Sequence, residues 1–285
     1  IPIYTIPEKS SSHEKLRRLC LLVKHLNPEL VHSYSFFTNF PAWWSTLGTK
    51  AISIGSIRNN FVNDRRLAGR VFGLLSAGWP DRQICNSAAA QRAAAAACWP
   101  FKPQRLQVVR NGLDIKTFTP RHTSEQKKLP LLAIGRLFPE KRWDRLITAV
   151  SVLAKTGETL QVRLAGDGPL FHALNAQAKR LGVDHLIEFL GPRRDIGELL
   201  ADSRFLVHTA VEEGCPNVVM EAMACGRPVV AMDAGDISHL MEDGLTGFVV
   251  RQDDQETLAN RMRLLLNNDE LCVSMGQAAR AKAER

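Results

Sequence analysis

Residues 212–235 read EEGCPNVVMEAMACGRPVVAMDAG, and this stretch decides both the fold and the kind of site the chain carries. Two carboxylates, Glu213 and Glu221, are separated by seven residues. The first lies in a loop leaving the apolar run Phe205 to Ala210, and the second about one turn inside a helix opened by Pro216 and Asn217. Both therefore fall beside one helix N-terminus, where free backbone N–H groups and the positive end of the helix dipole favour a phosphate. A carboxylate accepts hydrogen bonds and repels anions, so it suits sugar hydroxyls better than the phosphate itself. The pattern describes a nucleotide-sugar pocket.

Working outward, short apolar runs alternate with helix-length segments from Leu129 onward: LPLLAI, TLQVRLA, HLIEFL, RFLVHTA and PVVAMD, with helices expected over Arg142 to Lys155 and Leu170 to Leu181. Such alternation predicts a parallel sheet covered on both faces, with ligands at the carboxyl ends of its strands. Leu146, Ile147, Val150 and Leu153 form a one-faced pattern at helical spacing and read as core. The first half carries ELVHSYS, TKAISIGSIRNN, DRQICNSAAA and LQVVRNGLD, a second α/β unit, and its Ala-rich run at 88–98 reads as a helix. Asn111-Gly112, Pro120 and the polar stretch TSEQKK break the pattern. The expected domains are 1–124 and 125–285.

A chain of 285 residues has room for two such domains, and its net charge of +8 is dispersed without an RNA- or DNA-binding motif, so no nucleic-acid partner is expected. The six cysteines show no C-x-x-C pair and no metal-ligand spacing, which fits free thiols in a reducing cytoplasm and no metal site. No apolar run approaches the roughly 20 residues of a membrane span. The start, IPIYTIPEKSSS, is neither a signal peptide nor opened by Met, which reads as an excerpt or an N-terminally truncated product.

With Glu213, Gly214, Pro216, Asn217, Glu221, Ala222, Gly226, Pro228, Val229 and Val230 in strand, loop, helix, glycine, strand order, the segment resembles the retaining glycosyltransferases of family 4. The resemblance implies the two-domain GT-B fold, two Rossmann-like domains whose parallel sheets face a cleft. It covers residues 125–270 closely and 25–124 more loosely. The Gly-rich loop after the family's first strand is missing, so the first domain is expected to be incomplete.

The segment AIGRLFPEKRWD presents Arg136 and Lys141 from one loop, matching the Arg and Lys that hold the donor's pyrophosphate in the family, with Arg142 where a Gly is usual. The pair would neutralise charge on the departing diphosphate, the work a metal does in other transferases. A solvated basic helix start is the bland alternative, though cations there oppose the dipole. Gly166-Asp167-Gly168-Pro169 resembles the family's turn facing the nucleotide, and alone reads as a strand-to-helix turn.

By resemblance, Glu221 takes the ribose hydroxyls and Glu213 the transferred sugar. The implied catalytic set is Glu213, Arg136 and Lys141. The donor-binding set is Gly135, Arg136, Lys141, Gly166, Gly168, Gly214, Cys215, Pro216, Asn217, Val218 and Glu221. Gly235 lends an amide to the diphosphate, and His239 stands where the family commonly has a Glu. On the acceptor side, His32, Arg58 and Asn59 are candidates; a lone His is also an ordinary structural residue. Phe36, Phe37, Phe40, Trp43 and Trp44 read as core or as an acceptor- or membrane-facing patch.

The function implied is metal-independent transfer, with retention, of a hexose from a nucleoside diphosphate to a glycan or lipid-linked acceptor in cell-surface polysaccharide or glycolipid synthesis. The partners are the nucleotide-sugar donor and that acceptor. No cofactor is needed, and the place of action is the cytoplasm, peripheral to the inner face of the membrane. The alternative is a catalytically impaired fragment that binds nucleotide or a partner protein.

Overall fold

The computed structural model describes residues 2–7, 9–121 and 129–285. Packing divides the chain into units 1–110 and 111–285. The boundary expected at 124/125 falls outside the described residues. Residues 111–121 pack within the second unit, where Arg280 Nη1 donates to Phe118 O at 2.7 Å and Arg227 Nη2 to Arg121 O at 2.8 Å.

The first unit is built on four parallel strands in spatial order β1 (Leu30–His32), β2 (Ile52–Ile57), β3 (Arg82–Cys85) and β4 (Leu106–Val108). The runs of β1, β2 and β3 end in small or polar residues that start the next helix. After β3, Ser87 Oγ accepts Ala90 N at 3.0 Å and caps the Ala-rich helix Ala88–Ala95. Phe36, Ile57, Phe61, Ala77 and Cys85 form its core. The aromatic run splits accordingly: Phe36 and Phe40 are buried, whereas Phe37 and Trp44 are 47% and 42% exposed.

The second unit holds six parallel strands, β5 (Leu131–Ile134), β6 (Val162–Ala165), β7 (Ile187–Gly191), β8 (Leu206–His208), β9 (Val229–Met232) and β10 (Gly247–Val250), in spatial order β10-β9-β8-β5-β6-β7. Successive residues of β5 serve opposite faces: Leu131 and Ala133 join the core under helix Trp143–Lys155, and Leu132 joins the core under helix Asn217–Ala224. Burial on both faces explains why the central β5 and its neighbour across β8, β9, are uninterrupted apolar runs. At about 1.5–3 kcal/mol for each fully buried large apolar side chain, this double core is what holds the sheet.

Two features of this topology matter for function. The chain runs from β5 outward to β6 and β7, then returns to place β8, β9 and β10 on the other side of β5. The order therefore reverses between β5 and β8, and the loops leaving those strands diverge into a crevice at their carboxyl ends. At the amino ends of the strands, three arginines meet the carbonyl ends of helices. Arg204 donates to Leu265 O and Leu266 O at 2.7 and 3.0 Å, Arg280 to Ala224 O at 2.6 Å, and Arg227 to Ala201 O. These contacts satisfy carbonyls that have no intrahelical partner and oppose the negative helix ends.

Candidate donor site at the carboxyl end of the second sheet

The crevice between β5 and β8 is lined by two loops stitched together through the backbone. Thr209 Oγ1 donates to Lys141 O at 2.8 Å, and Val211 N donates to Glu140 O at 2.9 Å. Lys141 closes a short 3₁₀ turn, Pro139–Lys141, and Arg142 follows in the left-handed region (φ 51°) to open helix Trp143–Lys155. This backbone reversal places Lys141 Nζ against Glu213 Oε1, with side-chain exposures of only 16% and 14%. His208 Nε2, at the end of β8, lies 3.2 Å from the same oxygen.

Burial alone would raise the Glu213 carboxyl. The His208 imidazole and the Lys141 ammonium more than offset that and hold it at about 2. Glu213 is thus an anion at every physiological pH. Glu221 is the converse. It is half-buried in helix Asn217–Ala224, burial alone pushes its carboxyl up, and that carboxyl has no hydrogen bond or ion pair among the described residues. Asn217 and Glu221, four residues apart, share one helix face. One carboxylate is locked to a cation and the other is open to accept hydroxyl donors.

Glycines let the loops close around this point. A Cβ on Gly166, after β6, would overlap the Gly135 carbonyl oxygen after β5. Gly235 sits at φ 61°, and a Cβ there would come within 2.5 Å of both Glu213 O and Gly214 O. The loop after β9 thereby backs the loop that carries Glu213, and Asp236 N donates to Gly214 O at 3.0 Å. Gly214, Cys215 and Pro216 are buried, Val218 is half-buried and Asn217 is exposed. Asn111 Nδ2 spans to Asn217 Oδ1 at 2.7 Å and Cys215 O at 3.4 Å.

Arg136 is placed differently from Lys141. Its side chain is 69% exposed, donates to Glu140 Oε1 at 3.1 Å and lies 4.8 Å over the Phe138 ring. Gly135 and Gly168 line the same loops, Gly168 against the Leu137 backbone. Among the described residues no three His, Cys, Asp or Glu side chains converge in a way that could hold a metal ion.

Residues 114–282, more than half of the chain, match the family described as Glycosyl transferases group 1. The chain belongs to that family. It is 36% identical over 198 residues to the D-inositol 3-phosphate glycosyltransferase of Corynebacterium efficiens, covering 62% of this chain and 46% of that one. Over 188 residues it is 29% identical to the N-acetyl-alpha-D-glucosaminyl L-malate synthase of Bacillus anthracis, covering 63% and 49%. It thus spans about half the length of these relatives. The Anabaena HepE structure in complex with UDP and glucose superposes with a TM-score of 0.79 at 22% identity, covering 98% of this chain and 79% of that one. The shared architecture is the α/β, parallel-sheet GT-B fold.

Within this group 1 chain, sequence reasoning missed three residues around Glu213. His208 is fully buried beside it; the signal was a polar residue ending the apolar run RFLVH. Gln252 Nε2 donates to Ala210 O at 3.1 Å and Asp233 O at 2.9 Å, tying the loops after β8 and β9. Arg145, 1% exposed inside an apolar helix, donates to Gln252 Oε1 at 2.8 Å and pairs with Asp253. Arg145 acts through contacts 107 and 108 residues away in sequence and Gln252 through ones 19 and 42 away, which no local pattern reveals.

In the first unit, His32 and Arg58 end β1 and leave β2, and the two strands bring them to one edge. His32 Nε2 lies 3.1 Å from Ser56 Oγ, its ring centroid 4.4 Å from that of Tyr34, over which Arg58 stands at 5.9 Å. Burial and the neighbouring Arg58 lower the His32 value, favouring neutral imidazole. Asn59 is exposed and bonds the Asp64 side chain.

Proposed function

We propose that the second unit is the donor site of a retaining, metal-independent glycosyltransferase of family 4, moving a hexose from a nucleoside diphosphate to a glycan or lipid-linked acceptor in cell-surface polysaccharide or glycolipid synthesis. The observation that carries this reading is the Lys141–Glu213 pair at the strand-order reversal, beside the N-terminus of helix Asn217–Ala224. The HepE complex with UDP and glucose supports UDP as the first nucleotide to test.

In this reading the helix N-terminus and the loop amides take the diphosphate. Lys141 and Arg136 neutralise the charge that grows on it as the sugar departs; Arg136, held only by an exposed pair and a ring contact, can swing to it. Glu221 accepts the ribose hydroxyls. Glu213, ionised and buried, accepts hydroxyls of the transferred sugar and fixes the reacting centre. Retention follows a front-face path in which the leaving phosphate takes the acceptor's proton, so no second carboxylate is needed as nucleophile.

His32, Arg58 and Asn59 are proposed to serve the acceptor, and the exposed rings of Phe37 and Trp44, joined by Phe72 and Trp79 at 58% and 42% exposure, to meet a membrane surface from the cytoplasmic side. No described helix is long and apolar enough to cross a membrane.

Calorimetric titration with UDP, GDP and ADP tests the proposal. Selective binding of one nucleotide by the parent chain, weakened by Glu221→Ala and by Lys141→Met, is the expected result. A folded parent that binds none of the three would sink the donor-site reading and leave a chain that binds a partner by other means.

A further inference from the structure

Strand β8 alternates Phe205 and Val207 into one core with Leu206 into the other, so His208 shares the face of Leu206, under helix Asn217–Ala224. An apolar side chain is what that position calls for. The imidazole there is fully buried; Nδ1 has no partner, and Nε2 approaches Glu213 without closing a well-aligned hydrogen bond. A polar group so enclosed is costly unless it acquires a partner. Nε2 lies 3.2 Å from Glu213 Oε1, the same oxygen that takes Lys141 Nζ. One carboxylate oxygen is thus contested by two donors.

We infer that His208 is the positioning residue of Glu213, taking over the carboxylate when Lys141 turns to the donor's diphosphate. The inference rests on the donor-site reading above. A diphosphate is a stronger attraction for the ammonium than one carboxylate. Once Lys141 turns, Glu213 would be a buried anion without a cation, and a small rotation toward His208 closes an Nε2–H···Oε1 hydrogen bond. The imidazole must then carry a proton on Nε2. Because β8 holds the ring between β5 and β9, the carboxylate is fixed by the sheet itself and keeps its orientation toward the sugar whether or not Lys141 stays.

The test compares His208→Leu, which fills the space without a donor, with His208→Gln, whose amide can still donate to Glu213. Calorimetry is run with UDP and with UDP-glucose. The expected result is UDP binding within about threefold of the parent in both variants, UDP-glucose weakened about tenfold or more in His208→Leu, and recovery in His208→Gln. Equal loss for UDP and UDP-glucose, or a loss that the Gln variant shares, overturns the positioning role and leaves a packing one.

A parent chain that binds neither compound overturns the donor reading and with it the handover from Lys141, and leaves the positioning of Glu213 by His208 to be decided separately. In that case nitrogen NMR of isotope-labelled histidine decides. An Nε2-protonated His208 whose signal shifts on Glu213→Gln supports the inference; an Nδ1-protonated ring, or a signal indifferent to that change, overturns it.

Discussion

Replacing Lys141 by methionine keeps the reach of the side chain and removes its charge. Glu213 is held at about 2 against an ordinary 4.5, burial working against the His208 and Lys141 contacts that lower it. At 1.36 kcal/mol per pKa unit, this corresponds to about 3 kcal/mol in favour of the ionised form. Lys141 supplies part of that. A double-mutant cycle of Lys141→Met and Glu213→Gln is therefore expected to return a coupling of about 1–3 kcal/mol at neutral pH. The folded-state value is depressed, so this stabilisation is complete above about 4.5 and is lost as pH falls from there toward 2. The coupling should decline below that point, by no more than about 1.36 kcal/mol per pH unit. Urea unfolding of the four proteins, at neutral pH and again on the acid side of 4.5, measures it. A coupling under about 0.5 kcal/mol at neutral pH, or one that acid leaves unchanged, refutes the claim that the ion pair keeps Glu213 charged.

Three further outcomes are expected. Gly235→Ala drives a methyl into the carbonyls of Glu213 and Gly214 at a positive φ, and should cost about 2 kcal/mol in unfolding free energy together with most of the nucleotide affinity; unaltered binding by a stable variant would contradict it. Glu221→Gln removes a carboxylate that burial already disfavours, so at neutral pH the variant should be at least as stable as the parent while binding nucleotide more weakly. Because folding raises this group's value, its unfavourable contribution appears as pH rises through the ordinary carboxylate range. The stability gain should therefore vanish in acid, and a gain that persists there would count against the reasoning. Arg227→Met leaves the Ala201 and Arg121 carbonyls without their donor at the amino end of the strands, away from the crevice at their carboxyl ends. It should cost about 1–3 kcal/mol with no change in nucleotide affinity, and a parallel loss of affinity would show that the two ends are coupled.

Much of this was legible in the chain because the physics is local. The helix Arg142 to Lys155 was readable from Leu146, Ile147, Val150 and Leu153, and the structure begins it one residue later, at Trp143, because Arg142 takes the left-handed turn that aims Lys141. The expectation for Arg136 and Lys141 as an equivalent pair rested on their sharing one loop. The fold separates them, because Lys141 follows the turn into the crevice while Arg136 points out to Glu140 and Phe138. The aromatic run at 36–44 was readable as core or as an acceptor- or membrane-facing patch, and helical spacing turns Phe36 and Phe40 into the core and leaves Phe37 and Trp44 exposed.

By itself, the sequence determined the parallel α/β architecture of both units, since runs buried on two faces and alternating with amphipathic helices admit little else. It also placed Glu213 and Glu221 about a helix start, because that spacing is a property of neighbouring residues. Only the tertiary structure decided which cation meets Glu213, that His208 competes for the same oxygen, and that Gln252 and Arg145 fasten the loops around them. The Lys141 and Arg145 contacts join residues 72 to 108 positions apart and Gln252 reaches Ala210 across 42, with His208 the one near neighbour among them. Strand order sets such encounters, and the reversal between β5 and β8 is a property of the assembled sheet that no single segment contains.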